Sequence, residues 1–287
     1  MSLFNNVKKR GSTGAGFSSF AANMAAVPAA YAAIGPKAPG ETKVVAIFGT
    51  DESHNGIGYE MHVRKIFEAK HDWRLICVRA NKFFTPELIR DADLLITCQM
   101  GGGDPVDVFT ETGGLEDNMV EGAPLWTDTN VSAIIDNVRN RGMGLMALHH
   151  TILAGNRQFL DFLDVREIMH NELEPLWVTR INKDHPVMQG IGKFMIANDE
   201  QLAVIIKSQS TATLFETTAI HEKRQVVSGW ALDAGNGRIV GLLPGHTIDA
   251  YMAPEYRNIM WRAAHWAMKR TIEPYPNAVN RYYKQGQ

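Results

Sequence analysis

The nine residues Gly142-Met-Gly-Leu-Met-Ala-Leu-His-His150 constrain this chain more than any other segment. A short apolar run reads as a buried strand, and this one stops at two histidines. In an open α/β sheet, ligands bind in the crevice beyond the carboxyl ends of the strands. A strand here delivers His149 and His150 to that edge. A second run, Gly237-Arg-Ile-Val-Gly-Leu-Leu-Pro-Gly-His246, also ends in a histidine after a Pro-Gly turn. Taken singly, each histidine is equally well a helix cap or a loop residue. Taken together, two strands handing histidines to one edge describe a site. The pattern leaves open which of His149 and His150 faces it.

The rest of the chain supplies the sheet. Lys43–Gly49, Trp73–Val78 and Asp93–Cys98 read as buried strands. Helical patterns over Tyr59–Lys70, Thr85–Arg90 and Ser132–Arg141 separate them, with Thr85 as N-cap and Pro86 at the first helical position. This alternation predicts an α/β fold whose mostly parallel sheet carries helices on both faces. Downstream, 156–164 reads as a helix, and 176–181, 203–207, 212–216, 225–232 and 238–243 as strands. A closing helix spans 254–269. The domain is expected over 41–271, between an N-terminal arm, 1–40, and a tail, 272–287. Within it, 99–130 is an insertion carrying Asp104, Asp107, Glu111, Glu116, Asp117, Glu121 and Asp128 but no Lys or Arg. A loop of that length is a lid or a disordered segment, and it starts at a strand's carboxyl end.

Composition removes several classes. A net charge of −2 leaves no basic footprint for nucleic acid. Cys77 and Cys98 have no C-x-x-C or zinc-finger spacing. Lys8-Lys9-Arg10 ahead of the small-residue stretch 17–34 resembles a secretory signal. Pro28 and the spacer Gly11–Gly16 argue against it, which favours a cytoplasmic protein. No stretch matches the roughly 18 apolar residues of a membrane span. The arms are expected to dock on the body or on a neighbouring subunit, giving a homo-oligomer.

His54, at the end of the first strand, joins His149, His150 and His246 at the same edge. In His170-Asn-Glu172 the two outer side chains share a face if the segment is extended. Imidazoles and a carboxylate converging on one mouth can bind a divalent ion such as Zn²⁺ or Mn²⁺. The metal set read this way is His54, His150 and His246. The same residues serve metal-free acid/base chemistry. The catalytic pool is His149, His150, His170, Glu172 and His246. His54, Asp199, Glu200, Tyr251 and Trp126 are placed as substrate contacts. Trp177 and Trp230 are as readily core. No nucleotide cofactor is indicated.

Several phrases in order resemble the ThuA-like (trehalose utilisation) family. They are the Gly142–His150 run, His185-Pro-Val-Met-Gln-Gly-Ile191, Asp199-Glu200, Gly237-Arg-Ile-Val240 with Gly245-His246, and Ala263–Met268. The resemblance implies a flavodoxin-like, class I glutamine amidotransferase-like fold. It also implies a role in sugar catabolism, acting on a small sugar or keto-sugar. Proton abstraction beside a keto group then gives an isomerase or epimerase; the alternative is a non-catalytic sugar-binding or regulatory domain. Amidotransferase chemistry needs a cysteine on the turn after the fourth strand, and histidines stand there instead. No G-x-S-x-G elbow exists for a serine hydrolase.

Overall fold

The computed structural model describes residues 34–48, 56–67, 70, 72–78, 84–98, 127–153, 156–169, 171–179 and 181–276. From Lys37 onward these belong to one unit, Lys37–Gln287. The strands are β1 (Thr42–Phe48), β2 (Trp73–Val78), β3 (Leu94–Cys98), β4 (Gly144–Leu148), β5 (Val165–Met169), β6 (Leu173–Thr179), β7 (Phe194–Glu200), β8 (Ala203–Ile206), β9 (Ala212–Ala219), β10 (Gln225–Ala234) and β11 (Gly237–Leu242). The helices are α1 (Gly56–Phe67), α2 (Pro86–Ile89), α3 (Asp128–Asp136), α4 (Arg157–Phe162), α5 (Ile248–Met252) and α6 (Pro254–Ala267).

Among the described residues, nine strands form one sheet in the order β2-β1-β3-β4-β11-β10-β9-β6-β7. The first five pair in parallel. Their order is the 2-1-3-4-5 arrangement of flavodoxin-like doubly wound sheets. β1, β3 and β4 are buried at every position, as strands covered on both faces must be. The second half of the chain extends this sheet with antiparallel strands. β5 and β8 pair separately. β5, β7 and α5 are elements the sequence patterns did not announce.

α6 closes the core. Ile259, Met260, Ala263, Ala264 and Ala267 are all fully buried. A Cβ on Gly144 would stand 2.8 Å from the Ala267 carbonyl carbon, so glycine is what lets β4 approach this helix. α3 begins at Asp128 behind the N-cap Thr127, whose side chain accepts from Asn130 N. The last residues of the acidic insertion therefore belong to a helix, and 99–126 lie outside the described residues. The tail, as far as it is described, runs back over α6: Trp261 Nε1 donates to the Glu273 carbonyl, 3.0 Å. The reading of 1–40 as an arm falls almost wholly outside the described residues. Among the described residues no helix is long and apolar enough to cross a membrane.

Charges gather at the amino ends of the parallel strands. Lys43, buried on β1, pairs with Asp91. Asp93 takes Lys37 at 2.7 Å and Arg270 at 3.6 Å. Its other oxygen accepts from Lys43 N.

Candidate functional site

The opposite edge of the sheet gathers histidines. β4 ends at Leu148, and His149 follows at φ 42. A non-glycine residue at positive φ is uncommon, and such strain concentrates at functional sites. The chain then turns through a short 3₁₀ segment, His149–Leu153. This geometry turns both His149 and His150 inward, and both are fully buried. His149 Nδ1 lies 2.9 Å from the Leu243 carbonyl. A carbonyl only accepts, so Nδ1 carries the proton. In the neutral ring Nε2 keeps its lone pair, and Nε2 is 3.5 Å from Glu200 Oε2.

β11 leads through Pro244 and Gly245 to His246. His246 Nδ1 is 3.2 Å from the same Glu200 oxygen. The His149 and His246 rings stand 5.3 Å apart, nearly perpendicular. One ligand atom from each of His149, Glu200 and His246 lies within 4.8 Å of the others. Glu200 is the last residue of β7, the edge strand, and is buried. His150 flanks the group, its ring 5.1 Å from His149 and 6.0 Å from Tyr59.

Asp199, beside Glu200, is fully buried and serves the backbone. It accepts from Gly245 N at 2.7 Å, His246 N at 2.8 Å, Glu200 N at 3.0 Å and Thr247 N at 3.1 Å. Burial pushes its carboxyl up to about 7, while these donors pull it back down. Tyr251 and Tyr256 are buried phenols whose ionisation burial pushes well above the ordinary range. They are neutral hydroxyls at any physiological pH.

The sequence-predicted residues divide as follows. The structure brings His149, Glu200 and His246 together, with His150 beside them. The metal set read from sequence held His150 where the cluster has His149, and it gave Glu200 to substrate. Glu172 is exposed just ahead of β6. Tyr251 is buried, its ring stacked with His62 at 5.9 Å, so it presents no open face to a sugar. Trp230 is core, donating from Nε1 to the Leu163 carbonyl. Trp177 is 43% exposed on β6. His185 caps a 3₁₀ turn and packs on Trp266. His54, Trp126 and His170 lie outside the described residues. Neither cysteine is at the turn after β4: Cys98 ends β3 and Cys77 is half-buried on β2.

The family model described as ThuA, trehalose utilisation, matches residues 43–267. The chain belongs to the ThuA family. Membership carries a role related to trehalose utilisation. Among solved structures, a ThuA-like protein from Parabacteroides merdae ATCC 43184 superposes with a TM-score of 0.64 at 16% identity, covering 83% of this chain and 94% of that one. A ThuA-like protein from Bacteroides uniformis ATCC 8492 gives 0.59 at 14%, covering 82% and 94%. A β-galactosidase from Rahnella sp. R3 gives 0.53 at 12%, covering 80% of this chain but 32% of that one. At such identities these likenesses establish the fold alone. No curated protein matches the sequence.

Proposed function

We propose that this ThuA family member is a sugar-processing enzyme, an isomerase or epimerase of a keto-sugar. In this reading it works with a divalent ion such as Zn²⁺ or Mn²⁺ held by His149, Glu200 and His246. The observation that carries the reading is the three-way approach of these side chains, within 4.8 Å. Two ligands about 2.0–2.1 Å from zinc at tetrahedral angles stand about 3.3 Å apart. The Glu200 oxygen lies 3.5 Å from His149 Nε2 and 3.2 Å from His246 Nδ1. Two imidazoles and one carboxylate are also the ligand count of zinc sites that keep a position open. The Nδ1–H of His149 on the Leu243 carbonyl is the outer hydrogen bond that fixes the tautomer of a metal-binding histidine.

When bound, the ion supplies positive charge beside a substrate carbonyl oxygen, which acidifies the neighbouring C–H. The chain's own residues do the rest. His149 and His246 would hold the ion through imidazole nitrogens, and Glu200 would offset part of its charge. His150, whose ring stands 5.1 Å from that of His149, is in this reading the residue that takes the proton from carbon and returns it. Burial of this edge keeps water from competing for the proton.

The test is deuterium uptake from D₂O at C2 of a 3-keto-glycoside, with wild type, His150→Gln and His246→Ala. The reading expects uptake in the wild type, a drop of about 10²–10⁴-fold in His150→Gln, and loss in His246→Ala. Tight sugar binding without uptake in the wild type would overturn it in favour of a binding domain.

A further inference from the structure

We infer that Asp199 is a positioning residue: it fixes the Pro244–Thr247 turn and thereby aims His246 at Glu200 and His149. The inference rests on the reading of those three as metal ligands only for its consequence. The clamp itself stands on hydrogen bonds.

The turn follows β11, where chain direction must change while the backbone stays buried. Buried backbone groups need partners, and a four-residue turn has no ladder to give them. Asp199 supplies the acceptors. The N–H groups of Gly245, His246 and Thr247 are consecutive, and all three donate to its carboxylate. Successive N–H groups converging on one anion form a nest; here the anion belongs to the protein. Glu200 N adds a fourth donor. Every one of these contacts is a donor into the carboxyl, so the turn is built around its two oxygens as acceptors.

The carbonyls are held from the other side. Tyr59 Oη donates to the His246 carbonyl at 2.8 Å, and Tyr256 Oη to the Pro244 carbonyl at 2.5 Å. Thr247 Oγ1 donates to the Asn198 carbonyl on β7. Gly245 completes the turn at φ 142, where a Cβ would also stand 2.8 Å from Tyr251 Oη. His246 therefore has its own N–H and C=O both pinned. Adjacent residues at the end of β7 do complementary work. Asp199 sets where the His246 backbone sits, and Glu200 meets its ring.

Asparagine at 199 keeps the shape, removes the charge and turns one acceptor arm into a donor facing N–H groups. Two readouts test the inference. The first is amide hydrogen exchange in the metal-free protein. In the wild type, Gly245, His246 and Thr247 should exchange slowly and as a group. In Asp199→Asn they should exchange at least about 100-fold faster, while β1 and β4 amides stay unchanged. Fast exchange of the three in the wild type overturns the clamp without any variant. So does unchanged protection in Asp199→Asn. The second readout is Co²⁺ titration followed by its visible spectrum. Asp199→Asn should bind Co²⁺ about 10–100-fold more weakly, with an altered spectrum at saturation. A merely structural role would lower the melting temperature and leave the saturated spectrum that of wild type, which also overturns the positioning role. If Asp199→Asn fails to fold, Tyr256→Phe deletes one hydroxyl of the same clamp and should shift the spectrum in the same direction; an unshifted spectrum there counts against the inference. A wild type that ignores Co²⁺ defeats the metal reading, and the exchange result still decides the clamp.

Discussion

The two ends of the parallel sheet both bury charge-bearing groups, and they do so by opposite rules. At the amino end each cation meets a carboxylate: Lys43 with Asp91, Lys37 and Arg270 with Asp93. At the carboxyl end a carboxylate meets two imidazoles, on a turn with a residue at positive φ. The first arrangement balances its charges within the chain and holds strands in place. The second concentrates lone pairs on one point. The first kind is costly to break because it leaves a buried charge alone; the second is the kind of arrangement for which functional sites give up stability.

The sharpest way to break this contrast is at the amino end. Asp91→Ala removes the partner of a Lys43 side chain only 2% exposed. Breaking a buried pair costs about 3–5 kcal/mol, toward the low end here because Asp91 itself is 27% exposed. Urea unfolding should show that loss with Co²⁺ affinity unchanged. The mirror experiment is Glu200→Gln. Metal-free stability should fall by less than it does in Asp91→Ala, while Co²⁺ affinity falls by more than the roughly 100-fold expected for an outer-sphere change. If Glu200→Gln is instead the more destabilising of the two, the contrast is reversed and fails. Next in size, Tyr256→Phe should cost about 1 kcal/mol, the net worth of one buried hydrogen bond, and weaken Co²⁺ binding several-fold, measured by calorimetry.

The smallest effect is on pH. Burial holds His265 below its ordinary 6.5. The unfolded chain then binds more protons than the folded one between that lowered value and 6.5. The His265 contribution to stability is full above 6.5 and is lost as pH falls from there through the lowered value. Between pH 7.5 and 5.5 the melting temperature of the wild type should fall relative to that of His265→Gln, a comparison that cancels Asp199, whose raised carboxyl acts in the opposite sense in both proteins. An equal slope in both would remove His265 from the account.

How much of this was legible depended on whether a feature is local. β1, β3, β4 and β11 were readable because parallel strands buried on both faces are continuous apolar runs. The two histidine-bearing ends followed from them. β7 was not readable: Phe194-Met-Ile-Ala-Asn-Asp-Glu200 is a half-exposed edge strand ending in polar residues. Its pairing, Leu173 with Glu200, joins distant segments. Without β7, the sequence places Glu200 only as a substrate contact, and the catalytic carboxylate is read at Glu172 instead of beside His149 and His246. The choice between His149 and His150 depended on one backbone angle, φ 42, which no apolar pattern encodes. Asp199 is read from sequence as a substrate contact, because its actual partners are backbone N–H groups that carry no residue type.

The most direct test of the central claim is the metal content of untagged protein loaded with Zn²⁺ and dialysed, wild type against Glu200→Gln. The account predicts close to one ion per chain in the wild type and almost none in the variant. A wild type without metal, or a variant that keeps it, would contradict the claim that His149, Glu200 and His246 form one coordination sphere.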